Sequence, residues 1–219
     1  MFTDRRDAGR RLAARLEHLR DRDPVVLALP RGGVPVAYEV ARALAAPLDL
    51  VMVRKIGAPR QPELAVAAVV DGDQPEIVEN GDIMGQLGLD RAWVESAARA
   101  ELHEIDRRRA HYLKGRSPLP VRGRAAILVD DGIATGASFE AALRATRRRE
   151  PGHLVMAVPV APPETVERLR AQVDEAVCLD TPAGFGAVGA FYRDFSQTSD
   201  EEVVDLLARA DRDLAAPGR

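Results

Sequence analysis

Cysteine is nearly absent from this chain. Its 219 residues include only Cys178, so no intramolecular disulfide can form, and the apolar neighbours Ala176, Val177 and Leu179 mark that thiol as buried and inert. Long hydrophobic runs are missing as well. No stretch approaches the roughly 18 apolar residues of a membrane span and no basic-then-apolar leader opens the chain, which predicts a soluble cytoplasmic protein without a membrane partner. Nor is there an excess of either charge. A net charge of -3 gives no electrostatic reason to expect nucleic acid as a partner, and the arginines at 107–109 and 147–149 lie beside acids in helical sequence, which reads as solvated helix faces. Several catalytic signatures are also lacking. No Gly-Lys-Thr or Gly-Lys-Ser follows a glycine loop and no Gly-x-Gly-x-x-Gly occurs, which disfavours nucleoside triphosphate hydrolysis. His103-Glu104 and His111 are too far apart for a His-Glu-x-x-His zinc motif, and His18 and His153 show no recognisable partner.

What the chain does contain is an alternation of strand-like and helix-like segments. Thr3 is read as the cap of a first helix reaching Arg20, with Leu12, Leu16 and Leu19 on its apolar face. A strand is expected over Pro24–Leu29, a helix over Val34–Ala45 and a strand over Leu48–Arg54. A β-rich piece follows over Leu64–Val78, turning at Asp71-Gly72-Asp73. Helical sequence dominates Asn80–Leu113, with Trp93 as an anchor. Beyond it come a strand at Ala125–Val129, a helix at Phe139–Arg149, a strand at Leu154–Val160, a helix at Pro163–Ala171, a strand at Glu175–Leu179 and a last helix at Asp200–Ala210. This order predicts an α/β fold with a mainly parallel sheet flanked by helices. The length suits one domain over 1–219, with a core over about 24–180 and a small appendage.

The most informative segment is 125–138. Ala125 to Val129 is short, unbroken and aliphatic, as suits a parallel strand buried on both faces. Asp130 and Asp131 follow, then a small-residue loop, Gly132 to Ser138, leading into a helix. Ligands of open α/β sheets bind at the carboxyl ends of strands, and the first amides of a helix favour an anion. Gly132 and Gly136 allow close backbone approach, while Thr135 and Ser138 supply hydroxyls. A phosphate monoester fits this nest. The acids would repel a phosphate beside them, so they are read as acceptors for sugar hydroxyls or as holders of a divalent cation through water. The bland alternative is an acidic turn with a hydroxyl-capped helix.

Val129 to Ser138 resembles the phosphoribosyl-pyrophosphate (PRPP) signature of type I phosphoribosyltransferases: aliphatics, two acids, variable residues, then Thr-Gly-x-Ser. Two further loops support the resemblance. Pro30-Arg31-Gly32-Gly33 follows the first strand and is similar to the family's pyrophosphate loop, which often holds a non-proline cis peptide. Arg54-Lys55 ends another strand and resembles the basic pair that some branches place beside pyrophosphate, in certain members across a homodimer interface. Nearly the whole chain also looks like a bacterial group of predicted phosphoribosyltransferases whose acceptor is unassigned.

The resemblance implies a Rossmann-like core with a flexible lid over about 55–79 and a small hood over about 181–211. It implies transfer of 5-phosphoribosyl from PRPP to a nitrogenous base, with Mg2+ and release of pyrophosphate. Ala134, Thr135, Gly136, Ala137 and Ser138 would hold the 5-phosphate, and Arg31, Gly32 and Gly33 the pyrophosphate. Asp130, Asp131, Arg54 and Lys55 would be catalytic, the two acids serving the metal through water. Glu63 is the lid's one carboxylate candidate, and a surface role is the other reading. Phe185 and Tyr192 would stack on the base or pack the last helix, as Phe191 and Phe195 are expected to do. Ala134 stands where 6-oxopurine enzymes carry an acid, which disfavours such an acceptor. A non-catalytic protein sensing PRPP or a nucleotide on the same fold is the rival. A phosphohydrolase with Asp130 as nucleophile ranks last, because the Asp-x-Asp pattern is absent.

Overall fold

Five short strands, the central ones aliphatic throughout, form a wholly parallel sheet at the centre of the molecule. The computed structural model describes residues 1–71 and 75–216, with Pro62 and Glu63 as backbone only. The strands are β1 (Pro24–Ala28), β2 (Leu48–Leu50), β6 (Ala125–Val129), β7 (His153–Val160) and β8 (Glu175–Asp180), in the order β2-β1-β6-β7-β8. Alternation along each strand feeds two apolar layers. Val26, Ala28, Ile127, Val129, Val155 and Ala157 face one side, where α1 (Arg5–Ala14), α2 (Gly33–Leu44), α4 (Arg91–Leu113) and α7 (Asp200–Ala215) contribute. Val25, Leu27, Ala126, Leu128, Leu154 and Met156 face the other, with α5 (Ala137–Arg148) and α6 (Pro163–Arg170). The expected α/β architecture is therefore present, its central sheet parallel throughout.

The remaining strands do not join that sheet. β3 (Val53–Ala58), β4 (Gln61–Val70) and β5 (Glu76–Glu79) form an antiparallel sheet of their own, with α3 (Gly81–Leu87) after it. The single strand expected over Leu48–Arg54 is thus two strands in different sheets. The break lies at Met52: the Val51 amide still donates to Ala28 O (2.9 Å), whereas the Met52 amide donates to the Asp71 carboxylate (2.7 Å). Within the expected flexible lid, β3 and β4 are joined by a tight turn at Pro59-Arg60, with Ala58 paired to Gln61. Gly72 and Asp73 of the expected turn lie outside the described residues.

Other departures are local. Asp4, not Thr3, caps α1 by accepting from the Asp7 amide (2.7 Å), and the helix stops at Ala14. Leu16 and Leu19 still reach the core, because a 3-10 turn over Glu17–Leu19 replaces the last helical turns. The long helical stretch after Asn80 is interrupted by Gly88 at φ +63°, a left-handed position suited to glycine, and Asp90 then caps α4 through the Trp93 amide (2.8 Å). Arg107 and Arg108 do pair with Glu104 on a solvated face, but Arg109 is partly buried against Asp71 and Asp49. His18 and His153 have a partner after all: Glu175 lies between their Nε2 atoms, at 2.9 and 3.3 Å. Cys178 is half-buried, and burial pushes its thiol up to about 11.

Candidate active site

Strand register sets two loops side by side. β1 and β6 are neighbours, with Ala28 opposite Val129, and the Leu29 amide donates to Val129 O (3.0 Å). Pro30–Gly33 and Asp130–Ser138 therefore leave the same sheet edge together. The Pro30–Arg31 peptide bond is cis. Contact between the loops leaves no room for side chains: a Cβ on Gly32 would overlap Asp131 Oδ2, and one on Gly33 would stand 2.8 Å from Val129 O.

The acids occupy the angle between the loops. The Asp131 amide donates to Asp130 Oδ1 (2.8 Å), and Arg5 Nε donates to Asp131 Oδ2 (2.7 Å). Burial drives both carboxyls above the usual range. The effect is greater at Asp130, which also faces the charge of Asp131, while the Arg5 guanidinium opposes it at Asp131. Of the two, Asp130 is thus the one whose neutral form burial favours more, while the Arg5 guanidinium favours the charged form of Asp131. Arg5 itself is fixed by donating to Ser196 O (2.7 Å) and lies over the Phe195 ring, 3.9 Å from its centroid. Sequence reading missed this residue, because nothing distinguishes it among the charged residues opening α1.

The loop that follows ends in an anion-receptive helix terminus. Ala134, Thr135 and Ala137 are exposed, Ser138 is half-buried, and Gly136 precedes α5 at φ +82°. No side chain caps this helix. Its first amides therefore lack intrahelical acceptors and lie at the positive end of the helix dipole.

Other expected site residues are more dispersed. Arg31 Nη1 donates to Asp200 Oδ1 (3.3 Å), which also accepts from Tyr112 Oη (2.6 Å). Arg54 and Lys55 do not act as a pair, since neighbours in a strand point to opposite faces. Arg54 Nε is bound to Glu101 on α4 (2.6 Å), whereas Lys55 is exposed and lines a cavity of about 350 Å³ with Ala137 and Glu140. Tyr192 is not open for stacking on a ligand. It is 6 % exposed, its ring lies between Phe2 and Phe195, and its hydroxyl donates to Asp131 O. Phe185 stays half-exposed and stacks on Phe191, with centroids 5.3 Å apart. The Glu63 side chain lies outside the described residues.

Comparisons with known proteins bear on this arrangement. The family model described as phosphoribosyl transferase domain matches residues 4–192. Over 218 residues the chain is 50% identical to two curated Mycobacterium tuberculosis proteins, "Putative phosphoribosyl transferase MT0597" of strain CDC 1551 / Oshkosh and "Putative phosphoribosyl transferase Rv0571c" of strain ATCC 25618 / H37Rv. Each match covers 100% of this chain and 49% of the relative, so the chain spans about half the length of the curated relatives it matches. Among solved structures, TT1426 from Thermus thermophilus superposes with a TM-score of 0.83 at 46% identity, covering 95% of this chain and 98% of that one. AQ2163 from Aquifex aeolicus shares the fold, with a TM-score of 0.50 at 12% identity over 93% of this chain and 84% of that one.

Proposed function

Because the chain belongs to the phosphoribosyl transferase domain family, we propose that it transfers the 5-phosphoribosyl group of PRPP to a nitrogenous acceptor and releases pyrophosphate. One observation carries this reading: two glycine-bearing loops in contact at the ends of β1 and β6, one opening an uncapped helix, the other bearing Arg31. The phosphate of the ribose sits on the amides from Ala134 to Ser138. Asp131 and Asp130 each take one ribose hydroxyl as a hydrogen-bond partner, and the diol fixes C1 for attack. The leaving pyrophosphate lies against Gly32 and Gly33, with the Arg31 guanidinium beside it. Lys55, on the second sheet, shares a cavity with Ala137 at the end of the anion loop. No side-chain nucleophile is required, since positioning and charge stabilisation carry the rate.

The acid pair suits magnesium. Full ionisation of both carboxyls leaves one charge uncompensated by Arg5, and no cluster of three potential ligands occurs among the described residues. The ion would draw the rest of its shell from water and phosphate oxygens, with Asp130 and Asp131 holding its water, and it neutralises the leaving group when bound. The Ala134 side chain offers a purine ring neither donor nor acceptor, which disfavours a 6-oxopurine acceptor. Of the two aromatics considered for the base, Phe185 is the one with exposed surface.

The test is incubation with PRPP, magnesium and a panel of bases, followed by assay of pyrophosphate and of a new nucleotide. Turnover with at least one base is expected, reduced by about 100-fold or more in Asp130→Asn/Asp131→Asn. Undiminished turnover in that variant would remove the acids from the mechanism. PRPP binding without turnover for any base would favour a sensor.

A further inference from the structure

Helix α6 grips the anion loop from behind. Thr165, buried in the first turn of α6, donates its Oγ1 hydrogen to Ala134 O (3.0 Å). Arg168 Nη2 donates to Thr135 O (2.6 Å). The two residues are three apart and so share a helix face. The other end of the guanidinium pairs with Glu140 on α5, linking the loop to the helix it opens. Gly136 lies in the crook, where a Cβ would meet Arg168 Nη2 and Thr165 Cγ2, each at 3.0 Å.

Turning two successive carbonyls toward α6 determines where the amides point. In a planar trans peptide the C=O and N–H vectors are opposed, and the one cis bond among the described residues is Pro30–Arg31. The N–H groups of Thr135 and Gly136 therefore point away from α6. Among the described residues neither amide has a backbone or side-chain acceptor, and Thr135 is exposed. Two parallel, unpartnered donors at an uncapped helix start form an anion-binding nest.

We propose that Thr165 and Arg168 are positioning residues for a phosphate monoester: by holding the carbonyls of Ala134 and Thr135, they aim the amides of Thr135 and Gly136 at the ligand. This rests on the reading of the loop as the 5-phosphate site. Both side chains bind the carbonyl face, so they act through the peptide planes and not by touching the phosphate. Arg168 is exposed, and its charge alone would suggest direct phosphate binding, but its Nη1 and Nη2 are engaged by Glu140 and Thr135 O.

The test is calorimetric titration of the full chain with ribose 5-phosphate and, separately, with magnesium pyrophosphate. Thr165→Val and Arg168→Met are each expected to weaken ribose 5-phosphate about tenfold, the loss of one hydrogen bond's worth of aim, with pyrophosphate affinity unchanged. Arg168→Lys, which can still reach one carbonyl, should recover part of the loss. Unchanged ribose 5-phosphate affinity in Thr165→Val and Arg168→Met overturns the proposal. So does an equal loss for both ligands with a lowered melting temperature, the mark of a purely structural contact. Wild-type protein that binds no ribose 5-phosphate refutes the assignment of the loop, and the inference with it.

Discussion

Gly32 has no space for even a methyl group, because the Asp131 carboxylate occupies the position a Cβ would take. Gly32→Ala must therefore push Asp131 off Arg5, moving the ribose acceptor by a fraction of an ångström to an ångström. A shift of that size costs about 100-fold in rate, so kcat/KM for PRPP should fall by that order while the melting temperature changes little. The contiguous part of the site was legible in sequence. Asp130 to Ser138 carries its acids, hydroxyls and glycines within nine positions, between a strand and a helix. Arg5 was not legible, since it lies 126 residues from the carboxylate it holds and only the folded chain brings them together. Tyr192 was left open between stacking and packing for a related reason: a sequence shows an aromatic ring but not what covers its faces.

At the scale of elements, the seam between the two sheets has its own chemistry. Asp71 follows β4, accepts from the Met52 amide and pairs with Arg109 of α4, beside Asp49. Burial raises its carboxyl to about 6. A carboxyl whose folded value exceeds its unfolded one favours the fold when protonated. Its contribution is full below about pH 4 and is lost as pH rises through about 6, roughly 3 kcal/mol for a rise of that size. Urea unfolding across pH 4–7 should show it: the stability of wild type relative to Asp71→Asn falls by that amount as pH rises. A constant difference would show that Asp71 does not titrate there. This seam escaped sequence reading because Leu48–Arg54 is continuously strand-like, and its division depends on an acid 19 residues onward. By contrast, the opposite orientation of Arg54 and Lys55 follows from strand periodicity alone. The central parallel strands β1 and β6 were readable because burial on both faces leaves them apolar throughout.

Across the whole molecule, the segment before α1 and the segment after β8 meet above the acid pair. The Phe2 amide donates to Phe191 O (2.8 Å), the Arg193 amide to Phe2 O (2.9 Å) and the Asp194 amide to Thr3 O (3.0 Å). Phe2 is buried against Tyr192, whose hydroxyl reaches Asp131 O. Phe2→Ala should cost about 3–4 kcal/mol of unfolding free energy in urea. Because the same packing supports Tyr192, it should also weaken PRPP binding. Loss of stability with unaltered PRPP affinity would separate the hood from the site.

This meeting of distant segments also sets the order in which the site can come into being. Asp131 is held by Arg5 from 126 residues upstream and by Tyr192 from 61 downstream. Such long-range contacts are slow to form, and during synthesis they cannot close until the downstream partner has left the ribosome. The parallel sheet through β7 can assemble earlier, but the carboxylate of Asp131 acquires its final setting only when the residues around 192–196 dock. A nascent chain that has the acids, the anion loop and the sheet edge in place is thus still without a finished site until that later segment emerges.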